Sequence, residues 1–89
     1  MKLIINTCYG GFSVSEEWAE RLGIHCHDEE NLRYNAELIS AIEAGEDVNG
    51  TYAGLKVVEL PENCTDYYVD EYDGSESVIY VVDGKLHWA

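Results

Sequence analysis

TDYYVDEYDGSESVIYVVDGKLHW, residues 65–88, is the stretch that decides the fold. It is rich in tyrosine and valine, which favour extended strands. The strand-like segments are residues 65–72, 78–82 and 85–88. The pairs at 73–74 and 83–84 are both Asp-Gly, which is typical of a tight turn between antiparallel strands. The end of the chain is therefore predicted to form three consecutive antiparallel strands.

Two helical patterns precede this stretch. Ser13 begins a capping-box pattern, Ser15 is a competing N-cap, and Gly23 is the natural end of this first helix. Asp28 is expected to cap a second helix, in which apolar residues recur at helical spacing until Gly45. The first half of the chain is therefore predicted to contain two helices.

Two further strands complete the predicted fold. Residues 2–7 and 55–60 are short apolar or alternating runs, ended by a Gly-Gly pair and by Pro61 respectively. A chain of 89 residues is too short for two ordinary domains. The order β-α-α-β-β-β-β predicts a small single α+β domain over residues 1–89, with one antiparallel sheet and two helices on one face.

The charge balance is strongly acidic. There are 18 Asp and Glu residues against 5 Lys and Arg, a formal net charge of −13. Such a field repels nucleic acid and anionic membranes and attracts basic surfaces, many of which belong to proteins that handle DNA or RNA. We therefore expect a basic protein partner, with no direct binding to nucleic acid or membrane. The alternative is that the charge serves solubility alone.

The composition also bears on the cellular compartment. The apolar run at residues 3–5 is too short for the core of a secretory signal, and no run approaches the ~20 apolar residues of a membrane span. Three cysteines are an odd number, which favours free thiols or a metal in a reducing compartment over a disulfide framework. We expect a cytoplasmic protein.

An acidic, tyrosine-rich segment is the main candidate for binding. No basic residue occurs between positions 59 and 76. Carboxylates pair with Arg and Lys, and tyrosines are frequent interface anchors. Asp66 and Asp70 share parity along a strand and should project from one face. The candidate partner-binding residues are Glu59, Glu62, Asp66, Tyr67, Tyr68, Asp70, Glu71, Tyr72, Asp73 and Glu76. A strand with one solvated acidic face is the alternative, and both interpretations can hold together.

A structural zinc site is a second candidate. Zinc takes four N or S ligands in tetrahedral geometry, and small domains with thin cores gain stability from it. In an extended segment His25 and His27 would point the same way. The predicted ligands are Cys8, His25, His27 and Cys64, with Cys26 and His87 as alternatives. Their spacing matches no standard zinc finger, and a polar turn with an inert Cys26 is the alternative.

A catalytic role has weaker support. Cys8 lies before two glycines and a predicted helix, where a helix dipole could activate a thiolate. No histidine or carboxylate accompanies it in the local sequence, and a plain glycine turn explains the pattern better. We therefore expect the protein not to be an enzyme.

Three stretches resemble a family of small bacteriophage and prophage proteins, most of which have no assigned activity. They are IINTCYGGFS at 4–13, LKVVELP at 55–61 and DEYDGSESV at 70–78, in the same order as in that family. The middle of the chain, including residues 25–27, matches no pattern of the family, so no metal site is implied there.

The resemblance, the size and the charge together point to an anti-CRISPR protein acting in the cytoplasm of a bacterial host. Such an inhibitor would bind Cas9 of a type II-A system and block its engagement of target DNA, with carboxylates occupying sites that otherwise hold phosphates. The alternative is a zinc-stabilised phage accessory module that binds protein without inhibiting anything.

Overall fold

The computed structural model describes residues 1–89 and contains five strands and three short helices. In chain order they are β1 (Lys2–Asn6), α1 (Glu16–Leu22), α2 (Glu29–Leu32), α3 (Ala36–Glu43), β2 (Leu55–Glu59), β3 (Cys64–Tyr72), β4 (Ser75–Val82) and β5 (Lys85–Trp88). This arrangement confirms the predicted α+β class.

The strands form two antiparallel sheets, so the prediction of one sheet is wrong. β1 pairs with β2 in a two-stranded sheet, and β3, β4 and β5 form a three-stranded meander in that order. The reason lies in β1, whose apolar run is buried on both faces. Ile4 belongs to the cluster that the helices cover, whereas Leu3 and Ile5 belong to a second cluster that includes Val78 of β4. The β1–β2 sheet is therefore the middle layer between the helices and the meander.

The second predicted helix is two helices in the structure. Asn35 interrupts it, because its side-chain oxygen accepts a hydrogen bond from the Leu38 amide at 2.9 Å and begins α3 as an N-cap. The break leaves the carbonyl of Arg33 free to accept a hydrogen bond from the Ile4 amide at 2.9 Å. The interruption thus attaches the helical layer to β1.

The first helix begins later than its capping-box pattern indicates. Ser15 is the N-cap, and its hydroxyl accepts from the Trp18 amide at 3.3 Å. Ser13 is buried instead, and its carbonyl accepts from the Gly50 amide at 3.1 Å. Gly23 ends α1 in the left-handed conformation, as predicted, with a φ of 68°.

Both Asp-Gly pairs form the predicted hairpin turns. Asp73 and Gly74 have φ values of 52° and 90°, and Asp83 and Gly84 have 53° and 73°. Positive φ at both central residues is the pattern of a type I′ turn, whose twist matches the flanking strands. These turns fix the pairs Tyr72↔Ser75 and Val82↔Lys85, and with them which side chains share a face.

Candidate protein-binding surface

The meander presents one of its faces outward. Successive side chains of a strand point to opposite faces, and the two turns fix which strand positions pair. Ten side chains therefore lie on this face, and we call this set the outer face. Its members are Asp66, Tyr68, Asp70, Tyr72, Ser75, Ser77, Ile79, Val81, Leu86 and Trp88. The opposite side contributes Tyr67, Val69, Val78 and Tyr80 to the packing between the two sheets.

Apolar and aromatic side chains form rows across the outer face. Tyr68 pairs with Ile79, and Ile79 pairs with Trp88. The exposed fractions of Tyr68 and Trp88 are 50% and 65%. The next row joins Val81 to Leu86, which is 53% exposed. Clusters of exposed apolar residues mark interaction sites more often than scattered ones do.

Two carboxylates lie within this apolar surface. Asp66 is directly opposite Val81, and Asp70 is directly opposite Ser77. Both are exposed, as the parity of the strand predicts. Neither forms an ion pair within the chain, whose four salt bridges involve other acids. Their charges are therefore available to a basic group that approaches the outer face.

The remaining predicted binding acids are dispersed rather than gathered on this face. Glu59 ends β2, Glu62 is exposed in the connection to β3, and Asp73 is in the hairpin turn. Glu71 points to the opposite side from Asp70, where it lines a cleft, and its carboxylate accepts from the Gly74 amide at 2.6 Å. Of the tyrosines, Tyr68 and Tyr72 lie on the outer face and Tyr67 points inward.

Glu76 is not accessible, although sequence reasoning placed it among the binding residues. Its side chain is only 6% exposed, and its oxygens accept from the Arg33 guanidinium at 2.8 and 3.1 Å. Its Oε1 also accepts from the backbone N–H of Asn6 at 2.8 Å. We therefore leave Glu76 out of the binding surface and treat its carboxylate as part of the framework that supports it.

Arg33 is the partner of Glu76, and it was not among the residues predicted from the sequence. Its guanidinium also donates to the Ile4 carbonyl at 2.9 Å and lies 5.0 Å from the centre of the Phe12 ring. One cation thus ties together the helical layer, β1 and the meander. The chain has only 5 basic residues, and Arg33 directly follows the apolar Leu32. This position was the one signal in the sequence that Arg33 is buried and paired.

Asn6 forms a second polar link and was also missed. Its side chain is fully buried and donates to the carbonyls of Cys8 and Gly74 at 2.8 and 2.7 Å. Its oxygen accepts from the amides of Gly54 and Cys8 at 2.9 and 3.3 Å. Because Gly74 belongs to the β3–β4 turn, Asn6 fixes the tip of the hairpin that carries the outer face.

A cleft of about 390 Å³ lies beside β3 and beneath the hairpin. Glu29 and Glu71 line it together with the Arg33–Glu76 pair. Glu29 is exposed, and one of its oxygens is 3.5 Å from the guanidinium of Arg33. Four ionisable side chains that line one cleft, three of them acidic, give it a negative balance.

Tyr67 joins β3 to the segment between α2 and α3. Its hydroxyl is 2.7 Å from the hydroxyl of Tyr34. This hydrogen bond, together with burial, raises the pKa of Tyr67 to about 12. The protonated form is therefore favoured in the folded protein.

This shift predicts a loss of stability in alkali. The unfolded chain releases the Tyr67 proton near 10 and the folded chain near 12, so the folded state holds more protons between these values. Stability should consequently fall as the pH rises from 10 to 12. Urea unfolding across this range should show a weaker pH dependence for Tyr67→Phe than for wild type. Tyr68→Phe, which changes an exposed tyrosine, should retain the wild-type slope.

The predicted zinc ligands are spread over the structure. Cys8 is exposed after the end of β1, whereas Cys64 begins β3 and donates through its thiol to the Asp66 carbonyl at 3.1 Å. His25 and His27 lie in the α1–α2 connection, with ring centres 5.8 Å apart.

The alternative ligands lie elsewhere again. Cys26 packs against the helical core, and His87 stacks on Tyr80 at 5.3 Å between ring centres. No three His, Cys, Asp or Glu side chains are grouped so that they could hold a metal ion. These residues do not fit a tetrahedral site in this arrangement, and zinc binding stays a prediction. Metal analysis of the purified protein tests it, since the prediction requires about one zinc per chain and a lower Tm with chelator.

Comparisons with protein-family models, curated proteins and solved structures find no match to this chain. None of its three helices has the length and apolar character needed to span a bilayer. The resemblance to phage proteins therefore rests on its three sequence stretches alone.

Proposed function

We propose that this protein is an acidic binding module whose partner is a basic protein that handles nucleic acid. The outer face carries the proposal, because it combines exposed aromatic side chains with unpaired carboxylates. Tyr68 and Trp88 supply large, partly apolar contacts, and Asp66 and Asp70 supply charge. Interfaces typically place aromatic anchors centrally and use charge complementarity to select the partner.

The net charge of the chain supports a partner with a positively charged surface. A chain with a formal charge of −13 repels acidic proteins and nucleic acid and approaches basic surfaces faster than a neutral protein would. The meander also presents its carboxylates on a framework that the Arg33–Glu76 and Asn6 contacts hold in place. Affinity gains from such preorganisation, because less side-chain and loop entropy is lost on binding.

The proposed mechanism is competition for a phosphate-binding track. Carboxylates on the outer face would occupy Arg and Lys side chains that the nucleic acid would otherwise contact. Cas9 is the first partner to test, because the three stretches resemble phage proteins and Cas9 holds nucleic acid in a positively charged channel. The protein would then act as an inhibitor without catalysing any reaction.

Charge reversal on the outer face tests this proposal. Asp66→Lys/Asp70→Lys should weaken binding to guide-loaded Cas9 at least tenfold, because two attractive charges become repulsive. The matched control is Glu20→Lys/Glu46→Lys, which makes the same change in net charge at exposed positions away from the meander. Isothermal titration calorimetry with each folded variant measures the affinities.

Equal weakening by both double variants would mean that net charge, and not this face, governs binding. No affinity of the wild type for Cas9 would remove that partner. Capture of a basic nucleic-acid-binding protein other than Cas9, lost only in the outer-face variant, would keep the class of partner and change its identity.

A further inference from the structure

The outer edge of β3 has unpaired backbone groups. β3 is at one side of the meander and pairs only with β4. The two-residue turn makes Tyr72↔Ser75 a hydrogen-bonded pair, so alternation turns the N–H and C=O of Val69 and Glu71 away from β4. Neither residue forms any other backbone hydrogen bond. Within β3, the open hydrogen-bonding edge therefore lies at Val69 and Glu71.

This edge is acidic on both sides. Asp66 and Asp70 project from the outer face, and Glu71 projects into the cleft that Glu29 also lines. Side chains of a strand placed beside β3 would alternate between these two environments. Basic side chains on either side of that strand would therefore meet a carboxylate.

We infer that β3 binds its partner by strand addition, with an extended, basic segment of the partner as the added strand. The basic character of the partner is taken from the proposed function, so the inference rests on that proposal. Backbone hydrogen bonds to Val69 and Glu71 would supply affinity, and the alternating carboxylates would select lysine or arginine. A second copy of this chain is disfavoured as the added strand, because each copy carries a formal charge of −13.

The Tyr67 amide fits this arrangement. It faces the same edge, and it donates to the neighbouring Asp66 carboxylate at 2.9 Å. Charged side chains on an edge strand limit uncontrolled strand pairing, and here the Asp66 carboxylate also occupies the Tyr67 donor. The unpaired positions at Val69 and Glu71 are therefore the ones left for a specific partner.

A synthetic peptide provides the test. The probe is an acetylated, amidated peptide as long as β3, in which lysine alternates with threonine. Two control peptides keep every charge but carry backbone N-methyl groups on alternate residues. One is methylated at its odd-numbered residues and the other at its even-numbered residues. One of these should bind at least tenfold more weakly than the unmodified peptide, because its methyl groups block the edge that meets β3. Hydrogen exchange of the Val69 and Glu71 amides should slow at least tenfold when the unmodified peptide binds.

A pair of protein variants provides the matching test. Glu71→Pro removes the outward N–H at an edge position, where proline is tolerated in strands, and Glu71→Gln keeps this N–H but removes the charge. Amide protection along the β3–β4 ladder verifies that each variant is folded. Glu71→Pro should bind the peptide at least fivefold more weakly than Glu71→Gln.

Strand addition would be overturned by absence of peptide binding, by equal binding of all three peptides, or by unchanged exchange at Val69 and Glu71. The proposed function is judged separately, by charge reversal at Asp66 and Asp70 with the intact partner. A folded Glu71→Pro variant that binds the peptide as well as Glu71→Gln does would likewise exclude the open edge of β3.

Discussion

Glu76→Gln is expected to lower the free energy of unfolding by about 3–5 kcal/mol, because it removes the buried counter-charge of Arg33. Only the exposed carboxylate of Glu29, 3.5 Å away, then remains beside the guanidinium. Both side chains of the pair are less than one-tenth exposed, so solvent screens the lost interaction only weakly. Small domains typically unfold with about 5–15 kcal/mol, so this loss would make the protein marginal. Urea unfolding followed by far-UV circular dichroism measures the change.

The double variant Arg33→Met/Glu76→Gln separates pairing from burial. Removing both charges should recover a large part of the lost free energy of unfolding. The net stabilisation by a buried ion pair is smaller than the cost of leaving one of its charges buried and unpaired. Glu37→Gln is the exposed control, because Glu37 pairs with Arg21 at 3.1 Å and both side chains are more than half exposed. Its change should stay below about 1 kcal/mol. Similar losses for Glu37→Gln and Glu76→Gln would contradict the role given to the buried pair.

Asn6→Asp is expected to cost about 3 kcal/mol or more at neutral pH. The substitution is nearly isosteric, but it replaces two N–H donors by a carboxylate oxygen that faces the carbonyls of Cys8 and Gly74. A fully buried charge without a counter-ion is unfavourable, and two carbonyls lose their donors. Protonation removes the charge, so the variant should regain part of its stability as the pH falls below neutral.

Asn63→Asp is the matched control, since it makes the same chemical change at an exposed position between β2 and β3. Its free energy of unfolding should stay within about 0.5 kcal/mol of wild type. An Asn6→Asp variant as stable as Asn63→Asp at neutral pH would show that Asn6 does not hold the hairpin tip.

Local signals in the sequence predicted the parts of the fold that depend on neighbouring residues. The Asp-Gly pairs at 73–74 and 83–84 determine their turns through backbone conformation, and the turns then set the alternation along β3 and β4. The exposure of Asp66 and Asp70 follows from that alternation. Gly23 ended α1 for an equally local reason.

Interactions between distant segments could not be predicted in this way. The division into two sheets depends on β1 being covered on both faces, which follows from packing between layers and not from its own short sequence. Arg33 and Glu76 are 43 positions apart, and nothing in the local pattern of Glu76 distinguishes it from the exposed acids around it. Asn6 and Gly74 are 68 positions apart. The supporting framework of the candidate surface was therefore missed, although the surface itself was partly predicted.

The most direct test of the proposed function is target-DNA binding by guide-loaded Cas9, with this protein added before the DNA. We predict that near-stoichiometric wild-type protein abolishes DNA binding, that Asp66→Lys/Asp70→Lys does not, and that Glu20→Lys/Glu46→Lys behaves as wild type. Unchanged DNA binding in the presence of excess folded wild-type protein would contradict the proposal that its acidic face competes with DNA on Cas9.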